Sequence, residues 1–377
     1  MKIENNHTAA GTDQDSYARN SIIQAMSISK EFPTIKEALE RLYATMQPKC
    51  IMVGELGCAS GPNTLMVIPE VIDITYKTYR AMNFQDIPEI SVFLNDLPAN
   101  DFNTIALSLA SFHKKLDVDR KGDVGRCYVS ATPGSYLTRI FPDNFLHFVH
   151  CSQSAHWLSQ VPKGLLTKGE GSINKGNIYI ADTSPPEVHG AYREQFEEDF
   201  TTFLKQRGEE IVTGGCMVIN LMASTKSYRP QDYFMKQALN IPFGDMASEG
   251  LIDRKKLDEF ELAFYPPTTE ELMKVIVDEG SFHVQKHGIF TVDWDLPIKD
   301  PRNYYGKISE AEKIDVNERA KYVAAPLIAT TKYMMGTQFG EHVLDEYYAR
   351  VTKVLADRLS SGRKCESLHH SISLIKI

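Results

Sequence analysis

The segment from Ile51 to Thr64 constrains the fold of this chain more than any other. An apolar run that begins at Ile51 ends at the acidic residue Glu55, and a turn containing Gly57 and Gly61 follows at once. This pattern is typical of a buried strand that stops in glycines, where bare backbone approaches a ligand and a helix begins behind it. A carboxylate beside such a turn repels phosphate and suits ribose hydroxyls, a sulfonium or an amino group.

The spacing of the glycines limits the classes of ligand that this turn can bind. Gly57 and Gly61 are four residues apart, so the dinucleotide fingerprint G-x-G-x-x-G is absent, and the chain has no G-x-x-x-x-G-K-[ST] either. We therefore favour S-adenosylmethionine over NAD or ATP. The alternative is a strand-to-helix turn with a purely structural role.

A second predicted strand also ends in an acidic residue, and this strengthens the interpretation of the first strand end as part of a ligand site. The β-rich run from Ile90 continues to Asp96, some forty residues after Glu55. In a doubly wound sheet the next parallel strand lies beside the first, and its carboxyl end faces the same crevice. An acid at this place can accept hydrogen bonds from both hydroxyls of an adenosine ribose.

Seven motifs, which occur in this order along the chain, carry a resemblance to a known family. They are Ser16-Tyr17-Ala18-x-Asn20-Ser21-x-x-Gln24, Glu55-Leu-Gly-Cys-Ala-Ser-Gly-Pro-Asn-Thr64, Phe93-Leu-Asn-Asp96-Leu-Pro-x-Asn100-Asp101-Phe102-Asn103, Pro133-Gly-Ser135-Tyr136-Leu-Thr-Arg139-Ile-Phe141-Pro142, His156-Trp157-Leu-Ser-Gln-Val-Pro162, Asn174-Lys-Gly-Asn-Ile-Tyr179 and Gln338-Phe-Gly-Glu341. With these residues the chain resembles the plant SABATH family of S-adenosylmethionine-dependent methyltransferases over nearly its whole length. Members of that family methylate carboxylates such as salicylate, benzoate and jasmonate, or ring nitrogens of xanthines and related heterocycles. The resemblance implies an α/β fold of the class I methyltransferase type, with a mostly parallel Rossmann-like sheet, helices on both faces and a helical cap over the active site.

The strand ends and the resemblance together give the expected cofactor site. Its residues are Tyr17, Ser21, Glu55, Gly57, Cys58, Asn63, Asp96, Leu97, Ser135, Tyr136 and Ser152. Asp96 is expected to hold the ribose hydroxyls and Ser135 the adenine edge, with Leu97 and Tyr136 against the ring faces. Glu55 stands where aspartate is usual, and Tyr136 replaces a common phenylalanine, which requires a partner for its hydroxyl.

The expected acceptor site rests on Gln24, His156 and Trp157, which match the residues that position a substrate carboxylate in the carboxyl-methylating relatives. Gln153 stands in place of a usual tyrosine, and an apolar pair in the cap aligns with Met235 and Lys236. A pocket phenylalanine of the family aligns with Ser367. The pocket is therefore expected to be more polar than one built for salicylate, with Lys236 either pairing a substrate carboxylate or facing solvent.

The resemblance also implies a Mg²⁺ site, formed by Asn174, Asp258, the carbonyl of Phe260, and Glu261. Oxygen ligands of this kind suit a hard cation. Glu261 replaces a usual asparagine and adds a charge. Methyl transfer has no evident need of a metal, so both a structural ion and an absent one remain open.

Three functions remain open at this point. The first is carboxyl O-methylation of a small plant acid, giving a methyl ester, and the second is N-methylation of a small heterocycle. The third is a catalytically silent relative that binds a small acid. A carboxylate is already ionised at neutral pH, so methyl transfer to it needs no general base, and the absence of a catalytic triad signature is consistent with the first function.

Composition limits the partners. The net charge of −8 argues against nucleic acid, and no apolar run approaches the roughly 20 residues that cross a bilayer. Six cysteines without a C-x-x-C pair and an amino terminus without a secretory signal predict a soluble cytoplasmic protein. The family resemblance implies a homodimer.

We expect a single catalytic unit over residues 1–377. The α/β core should comprise about 47–224, 280–296 and 365–377, and the mainly helical cap and substrate pocket about 1–46, 225–279 and 297–364. Helical periodicity predicts a helix from about 20 to 46 that is broken at Pro33, and another from Ala191 to Ile211 that Gly214-Gly215 closes.

Overall fold

A computed structural model describes residues 16–84, 86–119, 126–167, 171–225, 234–295 and 315–377. Its centre is a seven-stranded sheet in the order β3-β2-β1-β4-β7-β9-β8. The strands of this sheet are β1 (Cys50–Leu56), β2 (Glu89–Asp96), β3 (Cys127–Pro133), β4 (Leu146–Ser152), β7 (Ile211–Ala223), β8 (Phe282–Asp293) and β9 (Glu366–Lys376). Two short strands, β5 (Leu166–Thr167) and β6 (Gly171–Ser172), form a separate antiparallel pair. The first five strands of the sheet are parallel, and β9 and β8 complete it in antiparallel fashion.

Helices cover both faces of this sheet and one of its edges. They are α1 (Tyr17–Asn20), α2 (Ile22–Thr45), α3 (Val67–Ala81), α4 (Phe102–Asp119), α5 (Pro186–Glu210), α6 (Phe234–Ser248), α7 (Arg254–Asp258), α8 (Thr269–Glu279), α9 (Val316–Phe339) and α10 (Leu344–Ser360). Among the described helices, none has the combination of length and apolar character that crossing a membrane requires.

Side chains alternate between two cores, as a strand buried on both faces demands. In β7, Cys216 and Val218 pack with α2, α3 and α4, whereas Met217 and Ile219 pack with α5, the cap helices and α8. The cap helices α6, α9 and α10 pack against one another at the carboxyl end of the strands. The predicted class I methyltransferase architecture is therefore confirmed.

Two local predictions were wrong. Helix α2 continues through Pro33 without a break, and most of its length packs against the sheet rather than in the cap, because Ile35, Leu39 and Leu42 belong to the core with α3. Gly214 and Gly215 lie inside β7 and do not close a helix. Gly214 has φ = 81°, which produces an irregularity in the strand that glycine alone adopts readily.

A buried charged cluster fixes α2 to the sheet. His150 on β4 lies between two carboxylates, with Nδ1 2.8 Å from Oε2 of Glu55 on β1 and Nε2 3.2 Å from Oε2 of Glu31 on α2. The same Glu31 oxygen accepts a hydrogen bond from Ser152 Oγ at 3.0 Å. Burial alone would lower the pKa of His150, but the carboxylates of Glu55 and Glu31 outweigh it and raise the pKa to about 10. The imidazole is therefore a buried cation at neutral pH.

A second buried ion pair fixes the loop after β3. Arg207 donates from Nε to Glu210 Oε2 at 2.8 Å, and its guanidinium also reaches the carbonyl oxygens of Tyr136 and Thr138 at 2.7 and 3.1 Å. The other Glu210 oxygen accepts from the backbone N–H groups of Ile140 and Phe141. Because these groups have no access to solvent, the loop from 136 to 141 has one orientation relative to α5.

Replacing Arg207 by methionine should destabilise the protein by roughly 3–5 kcal/mol, because the buried carboxylate of Glu210 would lose its buried charged partner and keep only the partly exposed Arg139, whose Nε lies 3.6 Å from Oε1. Urea unfolding followed by circular dichroism measures the change. The matched control is Arg193→Met on the same helix, where the half-exposed Arg193–Glu197 pair should contribute less than about 1 kcal/mol. Equal stabilities of the two variants would contradict the assigned role of Arg207.

The His150 cluster should make stability fall as pH rises above neutrality. The folded state binds the His150 proton more tightly than the unfolded chain, so this contribution is complete below pH 6.5 and is lost as the pH rises towards 10. In urea titrations at pH 6.5, 8 and 9.5, His150→Gln should be less stable than the parent protein at pH 6.5 and should show a flatter pH dependence. His283→Gln, at an exposed position on β8, should keep the parent slope.

Candidate active site

One cavity of about 660 Å³ opens where the parallel strands end. Its wall includes residues that follow β1, β2 and β4, the end of β7, and side chains from α6 and α9. Thirteen of the expected cofactor and acceptor residues lie in this wall: Tyr17, Gln24, Gly57, Asp96, Leu97, Ser135, Tyr136, Ser152, Gln153, His156, Trp157, Met235 and Lys236. Segments that are far apart in the sequence therefore meet at the carboxyl ends of the parallel strands.

The turn after β1 has an unusual backbone. Gly57 has φ = 66°, and a Cβ at this position would lie 2.3 Å from Ser154 Oγ, so only glycine fits. Ala59 has φ = 51° although it is not glycine. Its N–H donates to Asp96 Oδ2 at 2.7 Å and its carbonyl accepts from Asn100 Nδ2 at 3.0 Å, so the strained conformation is held from both sides.

Asp96 is oriented entirely by backbone donors. Its Oδ1 accepts from the N–H of Leu97 and its Oδ2 from the N–H of Ala59, each at 2.7 Å. Burial raises the pKa of Asp96, and these two hydrogen bonds oppose the rise. An ionised carboxylate has about four acceptor positions, so two remain for hydroxyl groups in the cavity.

The adenine end of the expected site is the loop of Ser135 and Tyr136. The Tyr136 hydroxyl donates to the carbonyl oxygen of Ser154 at 3.2 Å, which supplies the partner that the extra hydroxyl requires. The edge of its ring packs on Phe203 at 5.4 Å between centroids. The Arg207 clamp holds this loop through the carbonyl of Tyr136.

Four expected cofactor residues lie outside the described wall of the cavity: Ser21, Glu55, Cys58 and Asn63. Asn63 Nδ2 donates to the carbonyl and hydroxyl oxygens of Ser21 at 2.8 and 2.9 Å, so this pair joins the two segments behind the wall. Both oxygens of Glu55 contact His150 Nδ1, at 3.0 and 2.8 Å. Glu55 is therefore bound to β4 behind the wall, and its expected contact with the ligand stays a prediction.

Three side chains that carry nitrogen, Gln24, His156 and Trp157, lie in the part of the wall where the acceptor is expected. Nδ1 of His156 accepts from the N–H of Met222 at 3.1 Å, and burial lowers the pKa of His156 to about 3, so the ring is neutral and its hydrogen is on Nε2. Among the described residues, no group hydrogen-bonds the buried Oε1 of Gln24. Phe264 packs against His156 and Trp157 at 4.9 and 5.2 Å between ring centroids and holds the pair in place.

Gln153 has a different role from the one its position suggested. It adopts φ = 58°, and its Nε2 contacts Asn220 Oδ1 at 2.7 Å and His369 Nδ1 at 3.0 Å. Nε2 of His369 in turn lies 2.7 Å from Ser367 Oγ, which accepts from Trp294 Nε1 at 2.7 Å. The amide of Gln153 therefore belongs to a buried polar network that ends at Ser367 in the cavity wall.

Sequence reasoning missed several wall residues. Asn100 and Tyr179 lie within motifs, but the sequence does not show that they face the cavity, and Phe264 and Trp294 come from segments that carry no chemistry-bearing pattern.

The expected magnesium residues do not offer a set of open oxygen ligands. Ser172 Oγ donates to Glu261 Oε1 at 2.6 Å, while Asn174 Nδ2 and the Tyr192 hydroxyl donate to Oε2 at 3.1 and 2.9 Å. Asp258 accepts from the N–H of Gly176 at 2.8 Å and pairs with Arg254. The described residues contain no group of three or more His, Cys, Asp or Glu side chains suited to a metal ion.

Comparison with known proteins is consistent with this geometry. A family model described as "SAM dependent carboxyl methyltransferase" matches residues 4–377. Among the relatives, "Probable jasmonic acid carboxyl methyltransferase 2" of Theobroma cacao is 36% identical over 375 residues, with 98% of each chain covered. "3,7-dimethylxanthine N-methyltransferase 1" of Coffea arabica is 35% identical over 361 residues, covering 95% of this chain and 93% of the relative.

A solved structure agrees as well. "Loganic acid methyltransferase with SAH" superposes with a TM-score of 0.82 at 28% identity and covers 98% of both chains. The family match extends over the whole described fold, including the cavity at the strand ends. The chain therefore belongs to the SABATH family and is an S-adenosylmethionine-dependent methyltransferase.

Proposed function

We propose that this enzyme transfers the methyl group of S-adenosylmethionine to the carboxylate of a small acid and releases a methyl ester. The observation that carries the proposal is the set of N–H donors at the acceptor end of the cavity. The Nε2–H of His156 is fixed by the hydrogen bond at Nδ1, and the indole N–H of Trp157 and the amide of Gln24 belong to the same wall. Donors of this kind form charge-assisted hydrogen bonds with a carboxylate, each worth roughly 1.5–3 kcal/mol.

The protonation states support a carboxylate acceptor. A carboxylic acid with a pKa of about 4 is ionised at neutral pH and needs no base before it attacks the methyl group. His156 is a poor base, because its Nδ1 is occupied and burial lowers its pKa to about 3. Alignment and exclusion of water then supply the rate enhancement.

One end of the cavity binds the cofactor in this proposal, and the other end binds the acceptor. S-adenosylmethionine supplies the electrophilic methyl group when it is bound. Asp96 would accept hydrogen bonds from its ribose hydroxyls, and Ser135 with Tyr136 would enclose the adenine. His156, Trp157 and Gln24 would hold the carboxylate of the acceptor, and Phe264 and Met222 keep His156 in its orientation.

The names of the relatives include both acids and a xanthine, so N-methylation is the competing outcome.

We infer a cytoplasmic homodimer as the working form, supported by the family resemblance and by the absence of disulfides among the six cysteines, all of which are described.

Identification of the methylated atom tests the proposal. The purified enzyme is incubated with S-adenosylmethionine labelled at the methyl carbon and with separate panels of small carboxylic acids and nitrogen heterocycles. A labelled product that alkaline hydrolysis converts to methanol is a methyl ester and supports the proposal. A hydrolysis-resistant N-methyl product would overturn it, and so would tight binding of acids without any turnover.

Asp96→Ala should weaken S-adenosylmethionine binding by about 10²-fold, because two charge-assisted hydrogen bonds to the ribose are lost. Isothermal titration calorimetry gives the dissociation constant, and thermal melting shows that the variant is folded. Asp86→Ala, at an exposed position before β2, is the matched control and should bind normally. A folded Asp96→Ala protein with unchanged affinity would remove Asp96 from the cofactor site.

A further inference from the structure

The cavity contains a cation that the proposed reaction does not use. Lys236 on α6 lines the cavity and is only 8% exposed. Its Nζ lies 5.1 Å from the centroid of the Tyr179 ring, within the range of a cation–π contact. Burial lowers the pKa of Lys236 to about 7, and the charge of Asp182 opposes this effect. A lysine that faced solvent would show none of these features, so this side chain belongs to the pocket.

A continuous aromatic wall relates Lys236 to the carboxylate-binding pair. The Tyr179 ring lies 5.8 Å from the Phe264 ring, which in turn packs against His156 and Trp157. Lys236 therefore lies along the same wall as the pair but is separated from it by two aromatic rings. An acceptor that packs flat on this wall has its reacting carboxylate at His156 and Trp157 and its far end near Lys236.

Lys236 itself gives the far end a preference for an anion. Met235, next to Lys236, is partly buried against the apolar core, and Ser367 is a hydrogen-bonding group elsewhere in the same cavity wall. Burial lowers the pKa of His369 behind Ser367 to about 3, so this imidazole adds no second cation. Burial and, after it, the charge of Lys236 lower the pKa of the half-buried His189, and Asp182, whose side chain is exposed, is the acid that acts on Lys236.

We propose that the natural acceptor is a dicarboxylic acid, of which one carboxylate is methylated while Lys236 binds the other. The inference rests on the proposed carboxyl methylation. The second carboxylate forms an ion pair with the buried ammonium, and its charge holds Lys236 in the protonated state. The length of the acceptor is set by the two rings between Lys236 and the carboxylate-binding pair. The product is a monoester that keeps one negative charge.

Matched monoacids and diacids test this specificity. Turnover is measured for benzoate against terephthalate and isophthalate, and for a series of straight-chain monoacids against the diacids of equal length. The parent enzyme should show kcat/KM at least 10-fold higher for one diacid than for its monoacid partner, and only the monoester should form. This preference should fall as the pH rises above about 7, where Lys236 in the free enzyme loses its proton.

Substitution of Lys236 should change the preference and leave the fold intact. Lys236→Met should lose 10-fold or more in kcat/KM for the preferred diacid, mainly through KM, and the loss for the monoacid should be smaller. Lys236→Arg should keep the preference, because it keeps the charge. Thermal melting shows that Lys236→Met is folded. Lys255→Met, at an exposed position on α7, is the control and should behave as the parent enzyme.

The outcomes separate the two proposals. Methyl esters formed with no preference for diacids, or equal losses for monoacid and diacid in Lys236→Met, would overturn the role of Lys236 and leave carboxyl methylation standing. Products methylated only on nitrogen would overturn both.

Discussion

The buried cation of His150 is the interaction on which the position of the active site depends. It joins Glu55 on β1, Glu31 on α2 and, through Glu31, Ser152 at the end of β4. Because α2 is held across these strands by charge and not only by apolar packing, its first turn has one place relative to the strand ends. Gln24 and the preceding helix with Tyr17 reach the cavity from that turn. The acceptor end therefore inherits its geometry from a cluster of which only Ser152 lines the cavity.

How much of the structure the sequence predicts depends on the range of the interactions. The strands and their acidic ends were predicted from local sequence patterns, and the crevice from the rule that the carboxyl ends of parallel strands lie at one edge of a sheet. These predictions agree with the observed sheet. The role of Glu55 could not be predicted, because its partner His150 is 95 residues away and nothing in either segment indicates the other. Pro33 and Gly214 show the same limit. Tertiary packing carries α2 through a proline and β7 through a glycine that local propensity would take as boundaries.

The cluster around Glu261 shows how a side-chain network supports the pocket wall. Ser172, Asn174 and Tyr192 fix the carboxylate, while the next residues pair with the acceptor segment through Leu158 N–H to Ala263 O and Tyr265 N–H to His156 O, at 2.9 and 2.8 Å. Burial raises the pKa of Glu261 to about 7, against the three hydrogen bonds. Two of the residues that the family resemblance assigned to Mg²⁺, Asn174 and Glu261, thus help to position the segment of Phe264, which packs against His156 and Trp157.

The two ends of the cavity differ in what holds them, and this difference explains how one family accommodates carboxylate and ring-nitrogen acceptors. At the cofactor end, Gly57, Ala59 and Asp96 depend on backbone conformation and backbone donors, so a change there disturbs the sheet itself. At the acceptor end, Met235 and Lys236 are side chains on a cap helix that can change without altering any strand. The relative named for jasmonic acid is 36% identical to this chain and the relative named for dimethylxanthine is 35% identical, which is nearly the same degree of similarity. Overall identity therefore carries little information about which acceptor a member of the family methylates.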